Sequence, residues 1–148
     1  MNIQDEIKSN FTNDYLKGRV NIHFTHNYLN EQLLKIITPF LLSPAQFNVL
    51  RILRGQFPKT SSVGLIKERM IDKSSDISRI IDRMLSKKLV IRKECKVDRR
   101  QKEILISQLG LDILNQIDKA ENLLTDSMKN LTQKEIKLLN DLLDKIRL

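Results

Sequence analysis

This 148-residue chain has one cysteine, no tryptophan, three prolines and four glycines, and each scarcity excludes something. A lone Cys95 cannot form an intramolecular disulfide or a Cys-x-x-Cys metal knuckle, which fits a reducing compartment. The glycines stand at 18, 55, 64 and 110, too far apart for a phosphate-cradling loop. No apolar run approaches the roughly 18 residues that span a bilayer, and the opening MNIQDEIKSN lacks the basic and apolar regions of a signal peptide. The expected location is the cytoplasm, with no membrane contact. No Ser/His/Asp or Cys/His spacing supports catalysis, so the chain reads as a binder, with no catalytic residues, no metal and no cofactor.

Acidic residues are scarce too, but only in one place. Residues 1–43 hold four basic and four acidic side chains, residues 44–110 hold 16 and seven, and residues 111–148 hold six and seven. The formal net charge of +8 therefore comes from the middle segment, which carries an excess of nine positive charges. Such a footprint suits a surface that meets polyphosphate. A merely solvated basic face would give the same count, so its position matters.

Within that segment, Ser74 or Ser75 is placed to cap a helix, with Asp76 in its first turn. Ile77, Ile80, Ile81, Met84 and Leu85 follow at helical spacing and predict a buried stripe. Ser75, Ser78, Arg79, Asp82 and Arg83 fall on the other side, the side-chain types that bond base edges and phosphates. Leu89 to Cys95 and Lys102 to Ile106 read as two strands of a hairpin with a basic tip at 96–101. Helix, hairpin and basic tip together suggest a winged helix-turn-helix.

The flanking chain is helical. Leu16, Val20, Phe24 and Tyr28 recur at four-residue steps in a helix expected from about Asn13 to Thr38, ended by Pro39. Ser43, Pro44 and Gln46 form a helix start with a capping box, leading into Phe47, Leu50 and Leu53 and a left-handed stop at Gly55. Ser61 or Ser62 caps the next helix, expected to close at Ile71-Asp72-Lys73, and both serines are candidates to meet a phosphate. Ser107 caps a fifth helix expected to run through Leu111, Leu114, Ile117, Leu124 and Met128; Thr132 and Glu135 box the last, lined by Ile136, Leu139, Leu142, Leu143 and Ile146.

Three blocks, SPAQFNVLRIL, DKSSDISRIIDRMLSKKLVIRK and VDRRQKEILISQLG, occur in the order and spacing of the MarR family of bacterial transcriptional regulators, which the run from Ser43 to Gly110 resembles. The resemblance implies a recognition helix, an Asp-x-Arg wing in which Asp98 orders the hairpin and Arg100 enters the minor groove, and a dimer formed by the terminal helices. Arg99 is the neighbour of Arg100 in the same tip. The family commonly has glycine where this chain has Lys88; if that position is left-handed, lysine costs up to about 1 kcal/mol there. The peroxide-sensing branch uses a cysteine near the N-terminus, where this chain has none, so its mechanism does not carry over.

The expected fold is mainly α with a small β-hairpin wing: a single domain over 1–148, DNA-binding in 44–110, with helical dimerisation parts at 11–40 and 111–148. The expected function is a homodimeric, sequence-specific regulator of transcription, a ligand- or signal-responsive repressor on a pseudo-palindromic operator in double-stranded DNA. The alternative is a winged-helix module that binds another protein. The DNA-contact set is Ser61, Ser62, Lys73, Ser74, Ser75, Ser78, Arg79, Arg83, Asp98, Arg99 and Arg100. Many family members bind small aromatic ligands between the dimer helices and the DNA-binding part, so a small-molecule effector is a candidate partner, with His23, Phe24, His26, Tyr28 and Phe47 as walls. His23 and His26 share a helix face but lack an evident third metal ligand, and Cys95 reads as a small apolar strand residue rather than a redox switch.

Overall fold

The computed structural model describes residues 2–94 and 102–148. A short α1 (Ile3–Ile7) capped by Asn2 precedes the 24-residue α2 (Asp14–Ile37), whose N-cap is Asn13. A 3₁₀ turn at Thr38–Phe40 contains Pro39, and α3 (Pro44–Gln56) then starts on the expected box, with Ser43 and Gln46 each bonding the other's backbone. β1 (Ser61–Ser62), α4 (Val63–Arg69), α5 (Ile77–Ser86), β2 (Val90–Glu94) and β3 (Lys102–Ile106) follow. The chain continues through α6 (Gln108–Asp118), α7 (Glu121–Asp126), a second 3₁₀ turn (Ser127–Asn130) and α8 (Gln133–Ile146).

The three strands form one antiparallel sheet in the order β1-β3-β2, with Arg92 opposite Ile104 and Ser61 opposite the same residue from the far edge. Its inner face, Ile104 and Ile106, joins one core with Val49, Leu50 and Leu53 of α3, Ile66 of α4, Ile77, Ile81 and Met84 of α5, and Leu114 and Ile117 of α6. The stripe expected on α5 is therefore its anchor, and truncating a fully buried member such as Met84 to alanine costs about 2–5 kcal/mol. Gly110 sits where α6 crosses the sheet: a Cβ there would lie 2.6 Å from the Leu89 carbonyl oxygen. The contact requires the residue to be glycine.

Several boundaries differ from expectation, each for a local reason. Gly55 is an ordinary helical residue, since no glycine has a positive φ; α3 ends instead at Phe57, whose φ of −54° and ψ of 136° suit the residue before Pro58. α4 stops at Met70 rather than Lys73, because Asp72 turns the chain by accepting bonds from Ser74 and Ser75. Those serines are held in the turn ahead of the helix, and Asp76 caps α5 in their place by accepting from the Arg79 amide at 3.2 Å. β2 begins at Val90, and Cys95 lies outside the described residues. The expected fifth helix is broken after Asp118 into α6, α7 and the 3₁₀ turn. The two-residue β1 and the short α1 carry too little periodicity to be foreseen.

α5 ends in a Schellman motif: the Leu89 amide donates to the Met84 carbonyl and the Lys88 amide to that of Leu85. Lys88 is the left-handed residue, φ 59°. The turn is clamped by Ser107, whose hydroxyl donates to the Lys88 carbonyl at 2.7 Å while capping α6. Helix, wing and α6 are thus joined at one corner.

Candidate nucleic-acid interface

The turn before α5 sets how the helix is presented. Asp72 accepts from the Ser74 amide at 2.9 Å, the Ser74 hydroxyl at 2.6 Å and the Ser75 hydroxyl at 3.0 Å. The Ser74 bonds first, then that of Ser75, hold the Asp72 carboxyl below its ordinary value. From α3, the Asn48 carboxamide oxygen accepts from the Ile71 amide at 2.9 Å and ties the turn to the core. Sequence reasoning overlooked Asp72; the signal was its place two and three residues ahead of the serines, the spacing of an Asx turn.

With Ile77, Ile81 and Met84 buried, Ser78, Arg79, Asp82 and Arg83 project outward as expected. Ser75 is half-buried, and both it and Ser74 spend their hydroxyls on Asp72. Lys73 is exposed and donates to the Glu68 carbonyl. Ser62 caps α4 by accepting from the Leu65 amide at 3.1 Å, whereas Ser61 is 1% exposed and faces the interior from β1. Burial removes Ser61 from any surface that meets DNA. Asp98, Arg99 and Arg100 lie outside the described residues. The described base of the wing carries Arg92, Lys93 and Lys102, all exposed, and Arg92 reaches back to Asp82 on α5 at 2.7 Å. That contact was also overlooked, because a pair ten residues apart has no periodic signature.

The expected effector walls do not converge. His26 lines a groove of about 760 Å³ with Leu29, Leu33, Asn48, Met70 and Ile71, between α2, α3 and the turn before α5. His23 shares a separate hollow with Arg19 and Ile22 that His26 also borders, while Phe24 and Tyr28 face a third with Ile3 and Asn130. Phe47 is core, with the Arg51 guanidinium 5.7 Å from its ring centre. At about 100° per residue, His23 and His26 fall on one side of α2 and Phe24 and Tyr28 on another, while Phe47 belongs to α3. Of the five residues, only His26 opens on the groove beside the turn before α5.

Residues 42–101 match the sequence profile of the MarR family. The HTH-type transcriptional regulator MhqR of Bacillus subtilis (strain 168) is 26% identical over 140 residues, spanning 93% of this chain and 94% of that protein. A mutant MarR from E. coli complexed with operator DNA superposes with a TM-score of 0.79 at 26% identity, over 93% of this chain and 99% of that one. The S. aureus MepR–DNA complex gives 0.78 at 17% identity, over 93% and 97%, a likeness of fold alone. Profile, relative and superposition meet on the segment where the core locks α5 and leaves its cationic side outward, and over that segment the chain is similar to the MarR family.

Proposed function

We propose that the protein is a sequence-specific DNA-binding regulator of transcription that works as a homodimer in the cytoplasm. The observation that carries this reading is the two-sidedness of α5: one face immobilised by Ile77, Ile81 and Met84, the other offering Ser78, Arg79 and Arg83 beside a basic hairpin. A helix held this rigidly keeps its donors in fixed register with base edges, as direct readout requires. Lys73 and Ser62, with the cationic base of the wing, would meet the backbone phosphates that flank such a helix. A protein-binding use of this face alone is not favoured, since it gives no role to the concentration of positive charge in residues 44–110.

Dimerisation supplies the second half of the site. α8 buries none of its residues, and Leu138, Leu142 and Ile146 are exposed on it, as are Tyr15, Leu16 and Tyr28 on α2. Apolar area of this extent on two helices of nearly neutral segments is suited to a second copy. A two-fold pair would place the reading helices about 34–36 Å apart, on a pseudo-palindrome. The DNA-binding work then lies in 44–110 and the pairing in 11–40 and 111–148. The groove at His26 adjoins the turn that presents α5, so a small molecule seated there would release a repressor by binding the non-competent arrangement more tightly.

Arg79 provides the test. Its guanidinium can bond O6 and N7 of a guanine together, a contact worth about 1–3 kcal/mol of discrimination. Binding of Arg79→Ala to a selected site and to random duplex, measured by fluorescence anisotropy, is expected to fall mainly on the selected site. Equal losses on both would assign Arg79 to phosphate and remove it from base reading.

A further inference from the structure

Asp82 is out of place on a surface that meets a polyanion. It lies on the outward side of α5, three residues after Arg79 and next to Arg83, where a carboxylate repels phosphate. It does not serve either helix neighbour; its Oδ1 accepts from Nη2 of Arg92 on β2 at 2.7 Å. Both partners are substantially exposed, Arg92 37% and Asp82 66%, and an exposed pair adds little to stability. Fold stability is therefore a poor reason for the charge.

The position of the pair suggests another. Beneath it lies a gap of about 100 Å³ lined by Val63, Ser78, Ile81 and Ile104 as well as by Asp82, Arg92 and Lys102, and of the two cations there it is Arg92 that pairs with Asp82 and bridges the helix and the outer wing strand. Below, the left-handed turn at Lys88 joins α5 to β2; above, β2 and β3 continue toward the tip. Arg92 is the cross-brace at mid-height.

We propose that Asp82 is a specificity-determining positioning residue: by holding Arg92 across this gap it fixes the spacing between recognition helix and wing, so that both engage one DNA site in the same register. The brace also occupies a cation that would otherwise add to sequence-independent attraction for phosphate. This rests on the DNA-reading function above. It makes a prediction opposite to simple charge counting, in which removing a carboxylate strengthens binding to every duplex alike.

The experiment measures the affinities of wild type, Asp82→Asn, Arg92→Met and the double variant for a genomically selected site and for a random duplex of equal length, across several salt concentrations. Thermal unfolding checks that each variant folds. For Asp82→Asn, random-duplex affinity is expected to rise, with a log–log salt slope steeper by about 0.9 as Arg92 is freed to meet one more phosphate, while the ratio of selected to random affinity falls about tenfold or more. Arg92→Met is expected to lower the ratio comparably without steepening the slope, and the double variant to be no worse than either single one. A ratio unchanged within about twofold in Asp82→Asn, or losses that add in the double variant, would overturn the proposal while leaving the DNA-reading function intact. A folded wild type with no selectivity at all would instead remove that function, and the proposal with it.

Discussion

Lys88 holds a left-handed backbone, φ 59°, at the corner where α5, β2 and α6 meet. A Cβ crowds the carbonyl in that conformation, a strain that glycine avoids, so Lys88→Gly is expected to raise stability by up to about 1 kcal/mol and with it the thermal midpoint. An unchanged or lower midpoint would mean that the lysine side chain offsets the strain. Gly110 presents the reverse case. Its added Cβ would meet the Leu89 carbonyl oxygen at 2.6 Å and the Ile106 side chain at 2.8 Å, whereas one at Gly55 meets nothing within 4 Å. Gly110→Ala is therefore expected to destabilise by about 1–3 kcal/mol, and Gly55→Ala to stabilise by about 0.5–1 kcal/mol, in denaturant melts of the two variants. Two losses of similar size would show that helix propensity has little weight here.

At the level of elements, the turn from α4 to α5 depends on the ionised Asp72, and the start of α8 on Glu135, whose carboxylate accepts from the Thr132 hydroxyl and amide. Both carboxyls titrate below their ordinary values, from these hydrogen bonds. A depressed folded value means that the stabilisation is fully present above the unfolded pKa, about 4, and is lost as pH falls through the folded one. The stability difference between wild type and an Asp72→Asn, Glu135→Gln variant should therefore be constant from pH 7 to about 5 and shrink below about 4. A difference that persists undiminished in acid would show that these bonds do not depend on charge. Much at this scale was legible in the sequence: the boxes at Ser43 and Thr132, the α5 stripe and both wing strands follow from spacing that local physics enforces. What was not legible is tertiary. Asp72 drew Ser74 and Ser75 away from capping, Ser61 was buried by pairing with Ile104, and Arg92 found a partner on another element. The effector walls separated for the same reason, since Phe24 and Tyr28 share one hollow, His23 and His26 border others, and Phe47 of α3 was drawn into the core.

For the whole molecule, charge and apolar surface divide the labour. The excess of nine positive charges lies in residues 44–110, while the exposed leucines and isoleucines of α8 and the aromatics of α2 belong to segments with almost no net charge. In the function proposed above, the first surface would attract a polyanion and the second would pair with a like surface, giving two reading helices related by a two-fold axis. No single helix among the described residues is long and apolar enough to cross a membrane. Selection of fragmented genomic DNA on the purified protein at near-physiological salt, followed by footprinting of the best fragment, tests these points together. The predicted result is a symmetric protected site whose two halves lie about one helical turn apart. Diffuse protection without sequence preference would contradict the account.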